Sequence, residues 1–154
     1  MPQVISLRLP DATAERLRTA ARRAGRSLNE WGALSLEEWL RQNEFADVEF
    51  RSAGAEREAC LKGALPVWQV VQVARSYGLD PERTARHFGW PARRIRAALN
   101  YYEGFPEEID RAIEDSQAMT ETALRRLLPE MEVLPVPSAG AEEHVKPVKP
   151  AGRS

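Results

Sequence analysis

The sequence predicts a mainly α fold: an N-terminal unit of one short strand and two helices that closes only as an intertwined dimer, a small unit of helix-turn-helix type, and a disordered C-terminal tail. Three observations carry this prediction. Residues 3–9 alternate with a period of two, ahead of two helical stripes broken at Gly25. Residues 66–113 hold a succession of short helical stripes punctuated by Gly78, Gly89, Pro91 and Pro106. Residues 133–154 are rich in Pro, Gly, Ser and Lys and carry no stripe.

In the strand, Ile5, Leu7 and Leu9 point one way and Val4, Ser6 and Arg8 the other. One strand and two helices are too little to bury a core, so the segment needs a partner. A second copy would pair the strands into a ribbon sized for the DNA major groove. On its outer face Ser6 and Arg8 can donate to base edges, and Val4 can touch a thymine methyl. Pro10 ends the strand and Asp11 opens the first helix. Its apolar stripe is Ala14, Leu17, Ala21 and Ala24, with Arg16, Arg18, Arg22 and Arg23 off it. After Gly25, Ser27 and Glu30 have capping-box spacing, which leaves N–H groups at the next helix start to meet a phosphate beside Arg26. From Ser27 to Gln42 the stripe is Leu28, Trp31, Leu36 and Trp39, with Gly32 and Ser35 on the same face to admit another helix closely. The competing reading packs Trp31 and Trp39 on the chain's own later helices.

Gln3 to Asn29, with its strand, Pro10, Arg-rich helix and Gly25-Arg26-Ser27-Leu28-Asn29, resembles a ribbon-helix-helix domain of the Arc, CopG and MetJ repressor type. The likeness covers residues 3–42. It implies base contacts from Val4, Ser6 and Arg8 and phosphate contacts from Ser27, Leu28 and Asn29. The dimer core would be Ile5, Leu7, Leu9, Leu28, Trp31, Leu36 and Trp39. Val4 departs from the family, where a polar reader is more usual.

Residues 43–58 read as an acidic linker, and a second unit is expected over 59–115. Ala59 to Val67 suggests an extended or hairpin lead-in with Gly63 as its turn. Val67, Val70, Val71, Ala74 and Tyr77 then share one helical face. Asp80-Pro81-Glu82 starts the next helix, Pro91 a third with Ile95, Ala98, Leu99 and Tyr102 inward, and Pro106-Glu107-Glu108 a fourth. The tight turns make a helix-turn-helix arrangement. Arg93, Arg94, Arg96 and Tyr101 are its candidate second DNA or partner surface, the arginines alternatively being a solvated face. Pro66-Val67-Trp68, Gly78-Leu79-Asp80-Pro81-Glu82, Ile95 to Tyr102 and Pro106 to Asp110 resemble the small helix-turn-helix domain of VapB-type antitoxins. That likeness covers residues 51–115 and implies neutralisation of a PIN-like ribonuclease toxin. Lys62-Gly63-Ala64-Leu65 departs from it, where relatives tend to show a basic residue, Gly, Thr and Arg. Over 116–132 a short helical extension is expected, Thr120 to Met131, with Leu124, Leu127, Leu128 and Met131 as an apolar edge limited by Pro129.

At 154 residues the chain suits one domain or two small ones. Its net charge of −1 averages unlike blocks: +4 over residues 1–29, +5 over 60–102 and −6 over 103–132. Cys60 is the single cysteine, which excludes an intramolecular disulfide and a cysteine zinc site and suits a reducing cytoplasm. It reads as a small buried residue. His87 and His144 support neither a metal pair nor a catalytic triad, there is no glycine-rich phosphate loop, and Glu107-Glu108 suits a helix start. Neither a membrane span nor a signal peptide is expected. The reading is therefore a cytoplasmic, non-enzymatic, cofactor-free DNA-binding antitoxin that represses its own operon as a homodimer and neutralises a PIN-like toxin. The alternatives are a stand-alone ribbon-helix-helix regulator and a protein–protein adaptor.

Overall fold

The computed structural model describes residues 3–54 and 56–128. It is mainly helical with one small antiparallel sheet. In order come α1 (Asp11–Arg23), α2 (Leu28–Glu44), β1 (Val48–Ala53), β2 (Glu56–Leu61), α3 (Val67–Arg75), α4 (Pro81–Phe88), α5 (Ala92–Gly104) and α6 (Pro106–Leu127).

Two expectations about boundaries are corrected. The acidic linker of residues 43–58 is the end of α2 followed by a β-hairpin, in register from Val48 opposite Leu61 to Ala53 opposite Glu56. Its charges do not make it a connector, because the alternation Val48-Glu49-Phe50-Arg51 turns the apolar side chains onto the core and the charged ones outward. The lead-in at Ala59–Leu61 is the second strand of that hairpin, and Cys60 bridges to Pro66 beyond the turn at Gly63. The short helix expected from Thr120 is the second half of α6, which runs unbroken from Pro106 to Leu127. Met131 and the tail of residues 133–154 lie outside the described residues. Residues 3–10 form no strand in the single chain, where no neighbouring strand offers them hydrogen bonds.

The core sits where the hairpin meets α3, α5 and α6. Val48, Leu61, Val67, Val70, Val71, Ile95, Ala98, Tyr101, Ile109 and Ile113 are buried together. The stripes read from the sequence supply Val67, Val70, Val71, Ile95 and Ala98, and each large aliphatic side chain fully removed from water contributes about 1.5–3 kcal/mol. Asp80 caps α4, accepting from the N–H groups of Glu82 at 2.8 Å and Arg83 at 2.9 Å.

The aromatic side of the core ties α2 to the rest. Phe45, just past α2, stacks edge-on to Tyr101 with centroids 5.2 Å apart and lies 5.7 Å from Phe105. It also rests on Gly104: a Cβ there would stand 2.8 Å from Phe45 Cζ. Gly104→Ala should thus cost stability by overpacking, about 1–3 kcal/mol, although alanine normally gains about 1 kcal/mol over glycine within a helix. Urea denaturation should show the loss, and a Phe45→Leu background should shrink it.

Candidate nucleic-acid interface

The candidate surface is built from residues 3–29. Residues 3–9 form no regular element and are exposed, and among the described residues no hydrogen bond joins them to the rest of the chain. Val4, Ser6 and Arg8 are open to solvent, but so is the apolar set expected to face inward: Ile5 is 76 % exposed and Leu7 61 %. Leu9, next to α1, is the most covered of the set at 42 % exposed.

α1 ends in a Schellman motif. Gly25, at φ 64°, donates to Arg22 O at 3.1 Å while Arg26 N donates to Ala21 O at 3.0 Å. A left-handed residue is required at that point, and glycine takes it without steric cost. The turn delivers Ser27 to the start of α2, where the capping box forms in full. Ser27 Oγ accepts from Glu30 N at 3.2 Å, and Glu30 Oε2 accepts from Ser27 N at 3.0 Å and Ser27 Oγ–H at 2.7 Å. These hydrogen bonds from Ser27 hold the Glu30 carboxyl below its ordinary pKa. Arg26, Leu28 and Asn29 beside the cap are exposed. Arg18 and Arg22 reach Glu15, at 3.1 and 3.6 Å, whereas Arg8, Arg16, Arg23 and Arg26 have no acidic partner among the described residues.

α2 has two working faces. One carries Leu34, Glu38 and Arg41 toward the second unit. The other carries Leu28, Leu36, Trp39 and Leu40, all exposed, with Trp39 at 61 %. Trp31 is half-buried, and Gly32 faces Leu17 of α1, whose Cδ2 lies 3.8 Å from where a Cβ would stand. The helix that approaches Gly32 within one chain is therefore α1. Trp39 does not pack on the later helices.

On the inward face Arg41 is the hub. It donates to Glu37 at 2.7 Å, Glu108 at 2.6 Å and the Tyr101 hydroxyl at 2.8 Å, and its guanidinium carbon lies 3.7 Å from the centre of the Phe105 ring. Burial alone would lower its pKa, but the three hydrogen bonds outweigh that and hold it above the usual value. Beside it Arg57 of β2 grips Glu38 through both carboxylate oxygens, at 2.8 and 2.7 Å. Neither pair was read from the sequence. The signal available was a carboxylate, Glu38, on the same helical face as Leu34, Arg41 and Phe45.

The candidate second surface divides. Tyr101 is corrected: it is 0 % exposed, its ring at the core's centre and its hydroxyl donating to Glu108 at 2.9 Å, with burial and then Glu108 pushing its pKa up. Arg94 is also corrected as a free contact, since it spans Asp47 at 2.9 Å and the Lys62 carbonyl at 2.6 Å. Arg96 pairs with Glu82. Arg93 alone of the four is exposed without an acidic partner among the described residues. Cys60 is buried, which pushes its thiol pKa up.

Among the described residues no group of three or more His, Cys, Asp or Glu side chains is arranged to hold a metal ion, and no helix is long and apolar enough to cross a membrane. No protein-family model, curated protein or solved structure matches the chain.

Two outcomes test this geometry. Arg41→Ala leaves Glu108 and the Tyr101 hydroxyl without their cation and should cost about 2–4 kcal/mol in denaturant unfolding. Because Glu30's folded pKa is lowered, its ionised form favours the folded helix start. That contribution is complete above the ordinary carboxylate pKa and is lost as pH falls through the lowered value. An NMR titration of the Glu30 carboxyl carbon should show a midpoint below the usual one, returning upward in Ser27→Ala.

Proposed function

We propose that the chain is a DNA-binding antitoxin that acts as a homodimer of the ribbon-helix-helix type, represses its own operon and neutralises a PIN-like ribonuclease toxin. The carrying observation is the coincidence of two patterns. Of the seven side chains assigned to a dimer core by period and stripe, Ile5, Leu7, Leu9, Leu28, Leu36 and Trp39 are exposed in the single chain and Trp31 is half-buried. An apolar surface of this extent on one face favours a protein partner, and self-pairing of residues 3–9 would satisfy their backbone groups at the same time.

In that dimer Ile5, Leu7 and Leu9 turn inward and Val4, Ser6 and Arg8 line the ribbon's outer face. The α2 start offers the N–H groups of Leu28 and Asn29 to a phosphate, flanked by Arg26 and the Ser27 cap. Exposed arginines without acidic partners in this half supply the electrostatic attraction that a net charge of −1 conceals. The toxin would be bound by the second unit, tied to α2 through Arg41 and Arg57, or by the C-terminal tail.

The test is binding to DNA from just upstream of the gene against a scrambled duplex at near-physiological salt. Arg8→Ala should weaken specific binding by about 1–3 kcal/mol. Arg26→Ala should weaken both duplexes alike and reduce the salt slope by about 1. Equal effects of the two changes on both duplexes would overturn the ribbon assignment. Leu36→Asp with Trp39→Asp should leave helical circular dichroism intact, since both side chains are exposed in the single chain, yet give a monomer in sedimentation that no longer binds DNA. Co-purification with the product of the adjacent gene tests the toxin.

A further inference from the structure

α6 outruns the core it helps to build. Ile109 and Ile113 are its buried residues, yet the helix continues to Leu127, about 21 Å beyond Ile113. Its inward stripe continues as well, at helical spacing through Ser116, Thr120, Leu124 and Leu127, with Met119 and Ala123 beside it. Met119 is 72 % exposed and Leu127 77 %, and Leu124 and Leu128 are also exposed. On this stripe the Thr120 hydroxyl is already satisfied, donating to Ser116 O at 2.9 Å. The opposite side is a solvent face where Glu121 and Arg125 pair with each other.

Two properties are graded along the stripe, and both identify what fits it. Size is one: Ser116, Thr120 and Ala123 are small, whereas Leu124, Leu127 and Leu128 are large. Charge is the other. Asp115 and Arg126 lie about three helical turns apart on the same edge of the stripe, the acid at its start and the base at its end. Neither has a partner of opposite charge among the described residues. A second copy laid antiparallel satisfies both gradients at once, setting leucines over small residues and Asp115 of each chain beside Arg126 of the other. A parallel copy would set leucine against leucine and like charge against like charge.

We propose that α6 is a self-association surface, in which residues 116–127 of two copies pair antiparallel about an axis near Thr120. The surface is separate from Leu28, Leu36 and Trp39 on α2, so the pairing does not rest on the ribbon dimer. A chain that uses both contacts assembles beyond a dimer.

Cys60, the single native cysteine, is buried, so cysteines introduced on α6 of the full-length protein report alone to a short bismaleimide cross-linker. Thr120→Cys, near the axis, should link to itself. Leu127→Cys should do so several-fold less, because its two copies stand about 20 Å apart, but should link to Ser116→Cys when the two proteins are mixed. In the Thr120→Cys protein, Asp115→Arg should lower the yield several-fold and Asp115→Arg with Arg126→Asp should restore it, with helical circular dichroism unchanged throughout. The links should persist with Leu36→Asp and Trp39→Asp, which remove only the proposed ribbon contact. Failure of the wild type to form the ribbon dimer, with these links intact, would count against the ribbon alone and leave the α6 pairing supported. Absence of Thr120→Cys links, Leu127→Cys linking to itself equally well, no rescue by the double charge reversal, or loss of the links without the ribbon contact would each overturn the pairing.

Discussion

Among the contacts that tie α2 to the rest of this protein, the most heavily engaged cation is Arg41. It is largely buried between α2, α5 and α6, where a guanidinium is tolerated only if its donors are used. Glu37, Glu108 and the Tyr101 hydroxyl take them, and the Phe105 ring covers its flat face. Everything around it follows from that demand. Tyr101 must point its hydroxyl at the α2–α6 seam, so its ring fills the core. Glu108 must sit at the start of α6, where the helix N-terminus also favours an acid. Phe45 closes the seam, which leaves room only for glycine at position 104. The Glu38–Arg57 pair repeats the logic on the hairpin side, so α2 is pinned on two sides at its C-terminal half.

The consequence is that α2 belongs to both units. Its inward face is consumed by the clamp, and its outward face, with Leu28, Leu36 and Trp39, is exposed. Seventeen residues make it about 26 Å long. The capped end beside Arg26 therefore stands a full helix length from the seam. In the proposed complex this geometry separates the tasks: DNA at the N-terminal end of α2, the toxin near its C-terminal end. It also explains why arginines in the second unit serve structure. Arg94 bridges Asp47, in the turn between α2 and β1, to the Lys62 carbonyl, and Arg96 ties α5 to α4 through Glu82.

Charge follows the same division. The near-neutral chain separates its signs into blocks, with unpaired arginines toward the N-terminal end, carboxylates along α6 and lysines in the last residues. Such separation gives each surface a field of its own, which an average over the chain cancels.

Much of the local structure was legible in the residues themselves. Gly25 and the Ser27–Glu30 box located the α1–α2 turn, Asp80-Pro81 located α4, and the stripe Val67, Val70, Val71 and Ala74 chose α3's buried face. These are signals written within one helical turn, where periodicity and capping act directly on the backbone. On the candidate surface the stripe of α2 named Leu28, Leu36 and Trp39, which are exposed, and Trp31, which is half-buried, whereas both sets of the alternation at residues 4–9 are exposed alike. What escaped was long-range. Residues 43–58 looked like a linker because five acids outweighed a short alternation, and only pairing with Ala59–Leu61 turned them into a hairpin. Tyr101 and Arg94 looked like surface until their partners came from Arg41 and Asp47, dozens of residues away. The sequence by itself determined where most helices start and which side they turn inward, though not that α6 runs unbroken from Pro106 to Leu127. The tertiary structure alone decided which polar groups are spent inside, because a charge is buried or free according to the partner that folding brings to it, and no spacing along the chain records that partner.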